Sequence, residues 1–300
     1  MNRNEGRFGV PGMPEDTLEL DEGTAAPVVA ATAPTAPTAQ EGSPFTWATP
    51  TEFVELPSKG MFYKEGHPLR GKDAIEIRYM TAKDEDILTS QALLKKGIAI
   101  DRLVENVIVD KSINPASLLI GDKNAIIIAA RITGYGEEYE TRATCPSCGA
   151  QERHLFDLDQ KQGDHDIEGI LSEHGAHQTE GNNFVITLPT TGAQVEVRLL
   201  ISQDERELSI EAERKRRRDL EDSLLTDQMR KYIVSVNGNA SPIAVAQFVT
   251  SMPAKDSRIL RKFYEEITPT ISLEQLFVCT QCSYTGDMEV PLTADFFWPK

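Results

Sequence analysis

In "AIEIRYM" apolar and polar positions alternate with a period of two, placing Ile75, Ile77 and Tyr79 on one side as in a half-buried strand. Just before it, "FVELPSKGMFY" has strand-like residues around a Pro-Ser-Lys-Gly turn. The period then lengthens. In "TAKDEDILTSQALLKK", Thr81 followed three residues later by Asp84 resembles a capping box with acidic side chains in the first turn, which predicts a helix start. Ile100, Leu103, Val104, Val107 and Ile108 recur at helical spacing and predict a second helix with one apolar face. "DKNAIIIAARI" is apolar nearly all round, so a third helix is expected to open at Asp122, stop at Gly134 and lie buried at the centre of this half.

The next stretch, "GYGEEYETRATCPSCGAQERHLFDL", reads as strand, knuckle, strand. Further on, Phe184, Ile186 and Leu188 alternate, the chain turns through Thr-Thr-Gly, and Val195, Val197 and Leu199 alternate again, which predicts a β-hairpin. A charged helix follows in "DERELSIEAERKRRRDLEDS" and is expected to run on through Leu225, Met229, Tyr232, Ile233 and Val236 as an apolar face. Ser241 and Pro242 open another helix, and "AKDSRILRKFYEEI" makes a last one with Ile259, Leu260, Phe263 and Ile267 inward, ended by Pro269.

Residues 24–43, "GTAAPVVAATAPTAPTAQEG", repeat Ala, Pro and Thr behind an acidic stretch from Glu15 to Glu22. Such a segment buries too little surface to offset its ordering entropy, so 1–50 reads as a disordered arm, in which "RFGVPGM" is either a solvated tail or a docking peptide. The remainder divides into an α+β region at 51–160, a hairpin and helical region at 161–274, and a C-terminal segment at 275–300. With 300 residues the chain can bury its own cores without disulfides. No apolar run reaches the roughly 20 residues of a membrane span, and the amino terminus lacks a secretory pattern, which points to synthesis and retention in a reducing cytoplasm. A formal net charge of -16 disfavours a nucleic-acid phosphate backbone as a general partner. The Arg214–Arg218 run is flanked by acidic residues and reads as a solvated helix face rather than a binding patch.

All four cysteines stand in two C-x-x-C pairs, Cys145 with Cys148 and Cys279 with Cys282. A two-residue spacer lets both sulfurs of a pair face one ion while backbone N–H groups point at them, so the pattern suits a shared tetrahedral Zn²⁺ site. Gly149 follows Cys148 where the knuckle favours positive φ, and Ser283 stands at the matching place. The long spacing is tolerable because loop-closure entropy grows only logarithmically. Four thiolates leave no open position for water, which makes the metal structural. Two other readings stay open: a redox pair, and a local site joining Cys145 and Cys148 to His174 and His177, whose Gly-rich, polar surroundings read rather as a solvated loop. The expected fold class is α+β, a helical N-terminal region joined to a four-cysteine zinc ribbon with an inserted β-hairpin plus helices between the knuckles. No P-loop, dinucleotide fingerprint, G-x-S-x-G or H-E-x-x-H is present, so no catalytic residue is assigned. The aromatic end, with Phe296, Phe297 and Trp298, is a packed clasp or an anchor for another subunit.

Taken in order, "LPSKGMFY", "IEIRYMTAKDEDILTS", "GDKNAIIIAARITGYGEEY", "CPSCG", "CTQC" and "FFWP" resemble the T4-like bacteriophage baseplate protein family, a hub or hub-assembly component of contractile tails. The resemblance runs from Phe53 to the end, is strongest over 53–150, and includes both cysteine pairs residue by residue; the Ala/Pro/Thr arm has no counterpart in it. It implies a non-enzymatic scaffold located in the virion tail baseplate, oligomeric within a symmetric assembly, whose partners are other baseplate and tail subunits. The alternatives are an assembly chaperone absent from the mature virion and a zinc-ribbon nucleic-acid adaptor.

Overall fold

In the computed structural model the described residues are 49–158, 165–221, 223–271, 273–290 and 294–297. The arm expected at 1–50 therefore lies outside the described residues, except for its last two positions. Strand β1 (Thr51–Glu55) pairs antiparallel with β2 (Ala74–Arg78), Val54 opposite Ile75 and Glu52 opposite Ile77. This register turns Ile75 and Ile77 into the core, as their alternation predicts. The turn after β1 closes through positive φ at Lys59 (47°) and Gly60 (67°).

Helix α1 (Ala82–Thr89) starts at the predicted capping box: the Thr81 N–H and hydroxyl donate to Asp84 Oδ2 at 2.9 and 2.8 Å. Arg78 adds a two-pronged contact to the same carboxylate at 2.6 and 2.9 Å. Burial alone would raise the Asp84 carboxyl, but the bonds from Arg78 and Thr81 outweigh it and bring it down to about 2. Stability from this group is thus complete above the ordinary value of 3.8 and is lost as pH falls from there toward 2. In urea titrations the gap between wild type and Asp84→Asn is expected to narrow across that window and to stay constant above it.

Short helix α2 (Gln91–Lys95) leads to α3 (Ala99–Val107), which buries Leu103, Val104 and Val107 as its spacing requires. Helix α4 (Ile120–Tyr135) corrects the sequence expectation at both ends, opening at Ile120 rather than Asp122 and passing Gly134 to stop before Gly136. Asp122 does not cap it, because its carboxylate is taken by the Ser58 N–H (3.0 Å), the Ser58 hydroxyl (2.6 Å) and the Tyr63 hydroxyl (2.7 Å). The start of α4 touches the far end of the chain: a Cβ on Gly121 would lie 1.8 Å from the Pro269 carbonyl oxygen, so only glycine fits. Near its other end Arg131 is buried, its Nε donating to the Phe296 carbonyl (2.8 Å) and Nη1 to that of Gly136 (2.9 Å). Phe296 and Phe297 are buried as the clasp reading expects, whereas Trp298 lies outside the described residues.

Strands β3 (Glu138–Thr144) and β4 (Gln151–Asp157) form the predicted hairpin around the first knuckle. Helix α5 (Ile167–His174) and strand β5 (His177–Gln178) follow. Strands β6 (Phe184–Thr187) and β7 (Gln194–Val197) make the second predicted hairpin, with Phe184, Ile186, Val195 and Val197 buried. Helix α6 (Ser202–Arg217) does not run on as expected. It ends where Asp219 takes positive φ (55°), and Lys215 folds back onto Ser223 and Asp227 at the start of α7 (Leu224–Tyr232). Ile233 and Val236 then lie not on a helix but on β8 (Ile233–Val236), which completes an antiparallel sheet of order β5-β6-β7-β8. Their β-branched side chains favour a strand over a helix, and β7 supplies the pairing partner. Helices α8 (Pro242–Ser251) and α9 (Ala254–Ile267) match the sequence expectation, and β9 (Glu274–Val278) pairs with β10 (Thr285–Glu289) around the second knuckle.

The fold is α+β with small antiparallel sheets, and buried residues from 56 to 297 belong to one core. The same plan occurs twice along the chain. "LPSKG" and "LPTTG" follow β1 and β6, with Gly60 and Gly192 at φ of 67° and 66°. "IEIR" lies in β2, and "VEVR" covers the end of β7 and the residue after it; just as Arg78 grips Asp84, Arg198 grips Asp204 at 2.7 and 2.8 Å. Asp122 of α4 holds the turn at Ser58; Asp256 of α9 holds the turn at Thr190 and Thr191, at 3.0 and 2.9 Å to their N–H groups. Each plan ends in a strand, a C-x-x-C knuckle and a strand.

Candidate metal centre

Each knuckle is built by the same backbone bonds. The Gly149 N–H donates to the Cys145 carbonyl (2.9 Å) and the Cys145 N–H to that of Ala150 (2.8 Å); Ser283 with Cys279 (3.0 Å) and Cys279 with Tyr284 (2.9 Å) repeat the pattern. Gly149 and Ser283 both sit at positive φ, 72° and 57°. The turn requires that conformation, and serine bears a strain there that glycine avoids. The tight turn frees N–H groups to face sulfur: those of Cys148 and Ser147 donate to Cys145, and those of Cys282 and Gln281 to Cys279.

The four sulfurs from these two distant segments lie within 4.8 Å of one another. Cys145 stands 3.7 Å from Cys282, and Cys148 stands 3.7 Å from Cys279. A tetrahedron of sulfurs about 2.3 Å from one ion has edges of about 3.8 Å, whereas a disulfide needs about 2.05 Å. The donor set and its spacing therefore fit a metal ion and do not fit disulfides. Cys145 and Cys279 are buried while Cys148 and Cys282 are exposed, so one member of each pair anchors the centre and the other closes it.

Electrostatics favours release of one proton first. Burial disfavours the Cys145 thiolate, but the N–H groups of Cys148 and Ser147 and the adjacent thiols outweigh it and bring it down to about 7. At Cys148 the Ala150 N–H favours the thiolate, yet Cys282, burial, Cys145 and Cys279 prevail and push it up to about 12. A cation among these sulfurs would displace the remaining protons, since only thiolates ligate.

The hairpins also meet without a metal. The Gln275 side-chain amide imitates a strand partner, accepting from the Asp157 N–H (3.0 Å) and donating to the Asp157 carbonyl (2.5 Å). Glu152 accepts from the Thr280 N–H at 3.2 Å and from its hydroxyl, and the His154 ring bridges Phe156 and Phe277 at 4.6 and 5.2 Å.

Neither histidine weighed as a ligand joins the cysteines, which make up the metal-competent group among the described residues. His174 ends α5 with its Nε2 2.5 Å from Glu266 of α9, and His177 lies on β5, so this segment is not the loop its glycines suggest. The arginines of the Arg214–Arg218 run are exposed and partly neutralised on their own helix, Arg217 pairing with Glu213 at 2.9 Å and Arg214 with Glu211 at 3.6 Å, while Lys215 is half-buried against Ser223 and Asp227. Among the described residues no helix is long and apolar enough to cross a membrane. The doubled plan escaped the pattern reading, although "LPSKG"/"LPTTG", "IEIR"/"VEVR" and the two C-x-x-C pairs carry it, in the same order, in the sequence.

No curated protein and no solved structure matches the chain. The family model described as T4 bacteriophage base plate protein matches residues 50–298, which takes in both knuckles, the helices between them and the buried Phe296 and Phe297. The chain belongs to the T4 bacteriophage base plate protein family.

Proposed function

We propose that this protein is a non-enzymatic structural subunit of the baseplate hub of a contractile phage tail, stiffened by one Zn²⁺ held by Cys145, Cys148, Cys279 and Cys282. The observation that carries the proposal is the meeting of four thiols from segments over a hundred residues apart, within a chain of a baseplate family. Zinc suits an all-sulfur tetrahedral site, and four protein ligands leave no position for water or substrate. The ion's role is then mechanical: it ties the end of the first plan to the end of the second, which keeps the helical faces in a fixed relation for neighbouring subunits. Repeated copies in a symmetric tail bury such faces against one another.

Mass spectrometry of purified virions tests this reading. The protein is expected among the baseplate components, and an affinity pull-down is expected to recover other baseplate subunits. Its absence from finished particles, with the same pull-down positive, would instead mark an assembly chaperone. Salt-dependent retardation of DNA or RNA in a gel would point to a nucleic-acid adaptor and count against a scaffold.

A further inference from the structure

The two halves of the doubled plan differ at the outer edge of each first strand. In the second half that edge is covered: β5 pairs with β6, His177 opposite Val185, and β6, β7 and β8 follow in order. In the first half β1 and β2 match β6 and β7, and the bridge from Ile108 to Ile77 with the Val109 N–H on the Glu76 carbonyl (3.1 Å) matches β8. Nothing among the described residues matches β5.

The register shows what the open edge offers. The Tyr79 N–H bonds the Pro50 carbonyl and the Leu56 N–H bonds that of Asp73, so the even-numbered residues of β1 face β2. The N–H and carbonyl of Thr51, Phe53 and Glu55 consequently point outward, and no described residue bonds those of Phe53. In β6 the matching groups belong to Val185, which pairs with β5. Phe53 is also 74% exposed, the highest value among the large hydrophobic residues described. Glu55 lies beside it on the same face and Glu76 stands directly opposite on β2; Arg78, opposite Thr51 on that face, is engaged by Asp84, so the charge left around the apolar centre is acidic.

We infer that the open edge of β1 takes up an extended segment of another tail subunit in antiparallel register, with an apolar residue against Phe53 and lysine or arginine against Glu55 and Glu76. Strand addition supplies the missing main-chain bonds, and alternate side chains supply selectivity. The nature of the partner rests on the baseplate reading; the edge and its chemistry do not.

The test uses the full chain and a capped synthetic peptide in which lysine, valine and lysine stand two residues apart on one strand face, with threonine between them, followed by fluorescence anisotropy; the same peptide with glutamate in place of lysine is the control. The lysine peptide is expected to bind at least about tenfold tighter than the control, and to slow amide exchange at Phe53 and Glu55. Phe53→Pro removes an outward N–H while sparing the ladder to β2, and is expected to weaken binding about tenfold with little change in melting temperature. Phe53→Ala, which keeps the N–H, is expected to weaken it less and covers the case in which the proline variant does not fold. Equal binding by wild type and both variants would overturn the proposal, as would a homodimer of the full chain that Phe53→Pro dissolves, since the edge would then serve a second copy. Either failure leaves the virion composition untouched, so the baseplate reading stands or falls on its own measurement.

Discussion

Serine at Cys145 and serine at Cys279 are expected to abolish metal binding to the same extent, although the two positions stand in different halves of the chain. Elemental analysis of the purified protein should find one zinc per chain in the wild type and none in either variant. Melting temperature should fall by roughly 10 °C in both, and a chelator should produce the same fall in the wild type, reversed by added Zn²⁺. The loss is bounded because Gln275, Glu152 and the ring of His154 hold the hairpins together without an ion. The equality follows from geometry: the separation of Cys145 from Cys282 reappears between Cys148 and Cys279, and each buried cysteine receives two backbone N–H groups. Retention of metal by one variant alone would mean that the pairs do not share a centre.

The second large effect is expected at Asp122. Its carboxylate is buried and accepts from three donors, the Ser58 N–H, the Ser58 hydroxyl and the Tyr63 hydroxyl, and Tyr63 in turn accepts from the Leu119 N–H (3.2 Å). Asp122→Ala leaves these donors in the core without partners, at about 1–3 kcal/mol each, so a loss of about 3–5 kcal/mol is expected in urea unfolding. Asp256→Ala should cost less, because the Thr190–Thr191 turn that it holds is exposed and water can replace the acceptor. The pH dependence has the opposite sign to that of Asp84. Burial raises the Asp122 carboxyl despite the bonds from Ser58 and Tyr63, so its contribution is greatest below the unfolded value and shrinks as pH rises through the folded one. A gap between wild type and Asp122→Ala that widened with rising pH would contradict this assignment.

Much of the local structure was legible because short-range rules decide it. The capping box at Thr81 and Asp84, the apolar face of α3, the alternation in β2, β6 and β7, and the two knuckles each depend on residues a few positions apart. The misplacements arise where a distant partner intervenes. Asp122 looked like a helix opener, but Ser58 and Tyr63 claim its carboxylate. Ile233 and Val236 continued a helical spacing until β7 offered a ladder. His174 sat among glycines in sequence and beside Glu266 and Phe263 in space.

The amino-acid sequence by itself determined the four candidate ligands, the α+β class and the membership of a baseplate family, because residue type, period and motif order are written along one dimension. Only the tertiary structure decided that the cysteine pairs converge within 4.8 Å and that the region between them repeats the layout before the first pair. It also decided that one of two matching strand edges stands open among the described residues. Convergence of segments so far apart depends on a common core, whose contacts join residues that no local pattern links.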